Sequence, residues 1–235
     1  MLEQFSRTQS LLGKENMIKL NNAKVAVFGI GGVGSFAAEA LGRSGLGSIV
    51  LVDYDIIDIS NLNRQIHANF KTIGHKKVVA MKNRLLSINP KMNIEIYDEI
   101  YTEKNNYLLN RDYDYVIDAI DMVSSKINLI ENCKNMNIPI ISSMGAGNKL
   151  DPTMFQISDI YETHTCPLAK IMRRELRRKG IDKLKVVWSK EKPIKTNKEI
   201  EGLRKSVPGS VAYVPSVCGL IIASEVIKDI TVGGE

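Results

Sequence analysis

Lys24-Val25-Ala26-Val27-Phe28-Gly29-Ile30-Gly31-Gly32-Val33-Gly34-Ser35 decides the fold of this chain. A short apolar strand runs through glycines into a helix read over 35–43, and such a junction offers free amide groups to phosphate. The next apolar run, Ser48–Val52, reads as a second buried parallel strand. It ends at Asp53, at about the 20-residue offset where an acidic side chain meets ribose hydroxyls. To this point NAD and ATP fit equally.

Residues beyond the turn narrow the choice, namely Asn61-Leu62-Asn63-Arg64-Gln65, Lys77 and Asp121. A dehydrogenase needs no cluster of cations at the phosphates, whereas nucleotidyl transfer needs positive groups to neutralise charge as pyrophosphate departs. Arg64 and Lys77 could supply them, which points to ATP held for attack at its α-phosphate. Asp118 reads as well as a turn-starting residue as a site residue, since Asp after a strand often begins a turn. Gln65 and His67 divide evenly between site and surroundings.

The wider chain fits one large α/β domain: 235 residues, 44% hydrophobic and 25% charged, with 17 Gly and 7 Pro. No run approaches the ~18 apolar residues of a membrane span, and residues 1–10 lack the apolar core of a signal peptide, so a cytoplasmic location and no transmembrane segment are expected. Cys133, Cys166 and Cys218 are odd in number and contain no C-x-x-C pair, which indicates neither a disulfide framework nor a thiolate zinc site. Cys133 and Cys218 fall in helical patterns as small buried residues. Cys166 lies in a loop with no adjacent base in sequence.

The pattern of elements alternates. Helices are expected at about 3–19, 33–44, 74–88, 103–109 and 123–136, and strands at 24–28, 48–52, 93–97, 115–118 and 138–142. This is a Rossmann-like, doubly wound, mainly parallel sheet with helices on both faces. The second half adds strands at 154–158 and 185–188, continuing the sheet in partly antiparallel fashion, with a basic helix between them. A lysine-rich stretch at 191–208 reads as a mobile crossover loop into a last apolar helix at 217–228.

Charge is uneven along the chain. The net +6 concentrates between 170 and 205, where 14 basic residues face 5 acidic ones, leaving a net −3 elsewhere. Helical spacing puts Lys170, Arg173 or Arg174, and Arg177 or Arg178 on one face, and Lys183, Lys185, Lys190, Lys192, Lys195 and Lys198 extend the field. Such a stripe is either a solvated helix face or a phosphate-backbone surface, and the scarcity of compensating acids favours nucleic acid.

Taken in order, Gly29 to Gly34, Asp53-Tyr54-Asp55, Asn61 to Gln65, Gly74 before Lys77, Ile88-Asn89-Pro90 and Asp118-Ala119-Ile120-Asp121 resemble the ubiquitin-activating-enzyme-like (ThiF/MoeB) superfamily. That family includes the molybdopterin-synthase and ThiS adenylyltransferases. The resemblance implies that Gly29, Gly31, Gly32, Gly34, Asp53, Asp55, Asn61, Arg64, Gln65, Lys77 and Asp121 bind nucleotide, with Asp53 on the ribose and Asn61, Arg64 and Lys77 on the triphosphate. It implies magnesium on Asp121, and Arg7 reaching the neighbouring subunit's site in a homodimer. Arg64, Lys77, Asp121 and Arg7 would then carry catalysis.

Gly145-Ala146-Gly147, Asp151-Pro152-Thr153, Pro167-Leu168-Ala169-Lys170 with the arginine-rich helix, and Trp188-Ser189-Lys190-Glu191 resemble the branch that dehydrates threonylcarbamoyladenosine in tRNA. The resemblance implies a single adenylating domain over 1–235, with a nucleotide half at about 1–147 and a substrate and tRNA half at about 148–235. It implies ATP and Mg2+, tRNA on Lys170, Arg173, Arg174, Arg177 and Arg178, and no zinc. A monovalent cation and a sulfur acceptor associated with a cysteine desulfurase stay open. The alternatives are an adenylyltransferase for the C-terminal glycine of a ubiquitin-like sulfur carrier and an NAD-binding regulator. The first would need an apolar groove for its partner's tail; Arg64 and Lys77 at the phosphates count against the second.

Overall fold

The structure is a computed structural model, described over residues 3–195 and 208–233. In chain order it contains α1 (Ser6–Leu12), α2 (Lys14–Asn22), β1 (Lys24–Phe28), α3 (Gly34–Ser44), β2 (Ser48–Val52), α4 (Lys77–Ile88) and β3 (Asn93–Tyr97). There follow β4 (Tyr115–Asp118), α5 (Val123–Met136), β5 (Ile140–Ser143), β6 (Phe155–Asp159), α6 (Pro167–Arg178), β7 (Lys185–Ser189) and α7 (Tyr213–Lys228). The strands form one sheet in the order β3-β2-β1-β4-β5-β7-β6. All neighbours are parallel except the last pair, in which β6 runs against β7.

Strand residues alternate between two apolar layers because successive side chains point to opposite faces. Val25, Val27, Ile49 and Leu51 pack into one layer with α3, α4 and α7. Ala26, Phe28, Val50 and Val52 pack into the other with α5 and α6. Helices on both faces make the strands apolar throughout, which is the run of Val, Ile and Leu visible in the sequence.

Where the elements depart from the sequence expectation, local chemistry explains the difference. The helix expected at 3–19 breaks at Gly13, whose φ of 82° lies outside the helical region. The helix expected from 74 begins at Lys77, because Gly74 has φ 83° and Lys76 pairs with Ile56 in an isolated bridge. β5 starts at Ile140, after Pro139. The last helix starts at Tyr213, and Pro215 is accommodated in its first turn, where its missing N–H costs no helical bond. Most of the stretch read as a mobile crossover, 196–207, lies outside the described residues.

α7 lies tightly against α3. A Cβ at Gly219 would sit 2.3 Å from the Val33 carbonyl oxygen and 3.0 Å from the Ala37 amide nitrogen, so the two helices meet only because that residue has no side chain. The Gly219→Ala substitution must therefore push α7 off α3. It is expected to lower stability by about 1–3 kcal/mol, as overpacking of a filled core does, and a denaturant-unfolding midpoint unchanged from wild type would contradict the packing described.

Candidate active site

The chain passes from β1 outward to β2 and β3, then returns to β4 on the other side of β1. That reversal opens a crevice beyond the carboxyl ends of β1 and β4, the place where doubly wound sheets bind ligands. A cleft of about 630 Å³ lies there. Its walls come from the ends of β1, β2, β4 and β5, the Asn61–Gln65 segment and Pro215.

The glycine turn forms the floor. Gly29 adopts φ 90°, and a Cβ there would come within 2.6 Å of the Ala119 carbonyl oxygen. A Cβ at Gly34 would be 1.8 Å from the Gly29 carbonyl oxygen. Gly29 is thus required by the close approach of the β4 turn, and Gly34 by the tightness of the glycine turn itself. Gly31 differs, for a Cβ at that position meets nothing within 4 Å and would project into open space. It leaves backbone bare against the cleft, as close approach of a phosphate requires.

Asp53, at the end of β2, ties the turn in place. Its Oδ2 accepts a hydrogen bond from the Ile30 amide (2.6 Å) and its Oδ1 one from the Asp55 amide (2.8 Å). Burial raises its pKa above the usual carboxylate value, opposed by the positive charge of Lys77 and by these two hydrogen bonds. Each oxygen keeps a further lone pair for a hydroxyl donor.

The cations stand beside it. Lys77, in the first turn of α4, is buried and its Nζ pairs with Asp55 Oδ2 at 2.5 Å, while its amide donates to the Asp55 carbonyl at 3.0 Å. Arg64 is half-buried, and its Nη1 donates to the Ser60 carbonyl and to Asn63 Oδ1, both at 2.9 Å. Among the described residues it has no carboxylate within 4 Å. Burial lowers its pKa, yet a guanidinium stays charged in proteins.

Asn61 closes a capping box with Asp58, its Oδ1 accepting from the Asp58 amide at 3.1 Å. The Gln65 side chain lines the cleft with a buried Oε1 that has no partner among the described residues. Asp121 is exposed at the cleft mouth and makes no ion pair or side-chain hydrogen bond among the described residues. The structure therefore gathers Gly29, Gly31, Gly32, Asp53, Asp55, Asn61, Arg64, Gln65, Lys77 and Asp121 around one cleft. Gly34 stands behind it.

Other predicted residues fall elsewhere. Arg7 is exposed on α1 and does not line the cleft of this chain. On α6 the buried positions are Ala169, Met172 and Leu176, which leaves Lys170, Arg174, Arg177 and Arg178 exposed. Arg173 turns inward instead and donates to the Thr163 carbonyl at 2.8 Å. Part of the exposed charge is offset locally, since Arg174 and Arg178 both pair with Glu175. Arg177 lies over the Tyr161 ring at 4.9 Å.

All three cysteines are buried. Burial raises the Cys133 thiol pKa and pushes that of Cys218 up to about 12, although Ser143 lies 3.5 Å from the Cys218 sulfur. Cys166, at the N-cap of α6, lines the cleft. His67 is buried with both ring nitrogens unpartnered among the described residues, and burial followed by Lys77 and Arg84 lowers its pKa to about 4. It stays neutral and outside the cleft lining.

Two buried lysines escape a reading of the sequence alone. Lys126 of α5 is fully buried against Asp118, with Nζ 2.8 Å from Oδ2, and it also donates to the Ile120 carbonyl at 3.0 Å. Ser142 donates to the same Asp118 oxygen at 2.6 Å, and the Ile120 amide to the other at 3.1 Å. The pair fixes the turn that carries Asp121, and removing one partner of such a pair costs about 3–5 kcal/mol by stranding the other. The signal for it is the spacing of Lys126 with Leu129, Ile130 and Cys133, which puts a lysine on the buried face of α5. The second lysine, Lys149, is buried and lines the cleft.

A glycine-floored cleft at the switch point, lined by a buried acid and by two cations, is the site of a nucleotide-binding enzyme of the doubly wound class. The ThiF family matches residues 5–234, and the chain belongs to that family. The tRNA threonylcarbamoyladenosine dehydratase of Bacillus subtilis is 49% identical over 243 aligned residues, covering 98% of this chain and 95% of that one. Crystal structures of the Escherichia coli tRNA N6-threonylcarbamoyladenosine dehydratase in complex with AMP and with ATP superpose with a TM-score of 0.91 at 34% identity, covering 98% of this chain and 94% of that one. An adenylyltransferase and sulfurtransferase of Vanderwaltozyma polyspora is 33% identical over 58% of this chain and 31% of its own length.

The two kinds of glycine separate in their expected effects. Gly31→Ala should fold with wild-type stability, because its methyl enters free space, and lose ATP affinity by tenfold or more, roughly one hydrogen-bonded phosphate contact. Gly34→Ala should fail to fold stably. Calorimetric titration with ATP beside thermal unfolding checks both, and full ATP affinity in Gly31→Ala would remove the turn from the phosphate site.

Proposed function

We propose that this protein dehydrates threonylcarbamoyladenosine in tRNA at the expense of ATP, through an acyl-adenylate. The likeness to the Bacillus subtilis dehydratase over 98% of the chain carries this reading, because it extends through the half beyond the nucleotide motifs. The sulfur-carrier reading rests on likenesses of 31–34% identity that cover 58–70% of the chain. Nothing in the cleft favours it further.

In the proposed reaction Asp53 accepts from the ribose hydroxyls of ATP, and Asn61, Arg64 and Lys77 engage the triphosphate over the glycine turn. Lys77 would exchange Asp55 for phosphate, while Arg64 has no acid to leave among the described residues. The carboxylate of the threonylcarbamoyl group attacks the α-phosphorus, its oxygen bonds to phosphorus, and the bond to pyrophosphate breaks. The carbamoyl group then attacks the acyl carbon, the bond to AMP breaks, a proton is released, and a five-membered ring closes. The oxygen lost from the carboxylate departs in AMP. Because both reacting groups belong to one substituent, proximity supplies much of the second barrier and no enzyme nucleophile is required.

Asp121 fits a role in holding magnesium: it is a carboxylate free of protein partners among the described residues, at the mouth of a cleft suited to triphosphate. Magnesium takes one or two carboxylates and completes its shell with phosphate oxygens and water, and when bound it offsets the charge of departing pyrophosphate.

The exposed Lys170, Arg174, Arg177 and Arg178 suit the tRNA backbone, with Arg173 bracing the helix against Thr163. The proposal extends to a homodimer in which Arg7 completes the partner's site, and to one adenylating domain acting in the cytoplasm. Its chemistry requires neither a monovalent cation nor a sulfur acceptor.

Incubation with ATP, magnesium and tRNA bearing threonylcarbamoyladenosine, followed by gentle digestion and mass spectrometry, should yield a nucleoside lighter by one water, with AMP formed in step. Arg64→Ala and Asp121→Ala should each slow this about a hundredfold or more, the usual effect of deleting one preorganised charge. An unchanged nucleoside mass with a protein that binds ATP would contradict the reading.

A further inference from the structure

Lys149 is 3% exposed and lines the cleft, six residues beyond the end of β5. Its Nζ donates to the Gly145 carbonyl at 2.9 Å. Among the described residues no carboxylate lies within 4 Å of it, whereas buried Lys126 has Asp118 and buried Lys77 has Asp55. A buried ammonium with one neutral acceptor is costly, and such a charge ordinarily pairs.

The backbone beside it is held in an unusual conformation. Asn148 has φ 57°, a left-handed value for a residue other than glycine. It is fixed there by its amide donating to the Gly209 carbonyl (2.8 Å), its Oδ1 accepting from the Gly209 amide (2.6 Å) and its carbonyl accepting from the Ile194 amide (2.8 Å). A Cβ on Gly147 would meet Pro208 at 2.8 Å, so the chain closes tightly there. These contacts keep Lys149 inside the cleft when a solvent-facing position would cost less.

The sheet order sets which part of a substrate it faces. Asp53 and the glycine turn lie at β2 and β1, Asp121 follows β4, and Lys149 follows β5. With the nucleoside over β1 and β2, the α-phosphate falls at the β1–β4 crevice and the acyl group beyond it, toward β5. We propose that the Lys149 ammonium binds the carboxylate of the threonylcarbamoyl group and aligns its oxygen with the α-phosphate of ATP. This rests on the dehydratase reading. Lys149 is therefore a substrate-binding residue, separate from the cations that hold the triphosphate. After adenylation the same ammonium faces the acyl carbonyl oxygen and stabilises the negative charge that develops as the ring closes.

The test compares wild type, Lys149→Met and Lys149→Arg on tRNA bearing threonylcarbamoyladenosine and on the same tRNA with that carboxylate converted to its methyl ester. Wild type should bind the free carboxylate about tenfold or more tighter than the ester, the effect of one charge-assisted hydrogen bond. Lys149→Met should bind both alike, lose about a hundredfold in kcat/KM for tRNA and keep AMP affinity, while Lys149→Arg should retain the preference for the carboxylate. A wild type that does not distinguish acid from ester overturns the assignment whatever the variants do. So does a Lys149→Met enzyme that keeps the preference, or a Lys149→Arg enzyme that folds and loses it. Wild type that leaves the nucleoside mass unchanged overturns the dehydratase reading and this inference together, whereas dehydration without discrimination overturns only the inference.

Discussion

The carboxylate of Asp53 is the contact on which the nucleotide half of the cleft depends. One oxygen holds the Ile30 amide and so the start of the glycine turn; the other holds the Asp55 amide. Asp55 in turn accepts from the Lys77 amide through its carbonyl and pairs with the Lys77 ammonium through its side chain. Asp53, the glycine turn and Lys77 are thus one connected assembly hung from the end of β2. Two short hydrogen bonds to a partly desolvated carboxylate are strong enough to set such a geometry, since charge-assisted bonds are about twice as strong as neutral ones.

Three buried lysines show how differently the fold treats one kind of charge. Lys126 is neutralised by Asp118 within the turn that presents Asp121, and with Ser142 and Ile120 supplying further bonds the network is closed. Lys77 is paired to a half-exposed acid, an arrangement that phosphate can displace. Lys149 has only a backbone carbonyl among the described residues. The series runs from a charge closed within a network, to one paired with a half-exposed acid, to one held by a backbone carbonyl alone among the described residues.

Much of the fold was legible because parallel strands buried on both faces are continuous apolar runs. β1, β2, β3 and β4 and helix α5 lie where the pattern placed them, and the antiparallel β6–β7 pair continues the sheet as expected. The helix starts at Lys77 and Tyr213 were displaced by backbone features that periodicity does not carry, the positive φ of Gly74 and a proline tolerated in a first turn. In the cleft the motif residues were legible because they cluster in sequence. Lys149 was not, since a buried lysine looks like a surface one until its partners are known, and the one signal for Lys126 was its place on the apolar face of α5. Arg173 shows the reverse, a residue of the charged stripe that packs inward on Thr163.

Every role proposed for the cleft depends on one event, activation of the threonylcarbamoyl carboxylate on the α-phosphate. Heavy oxygen placed in that carboxylate, with unlabelled ATP and solvent, traces the atom that is removed. The AMP released should carry one labelled oxygen for each dehydrated nucleoside formed. Dehydrated nucleoside accompanied by unlabelled AMP, with the label in phosphate, pyrophosphate or water, would contradict activation at that phosphorus.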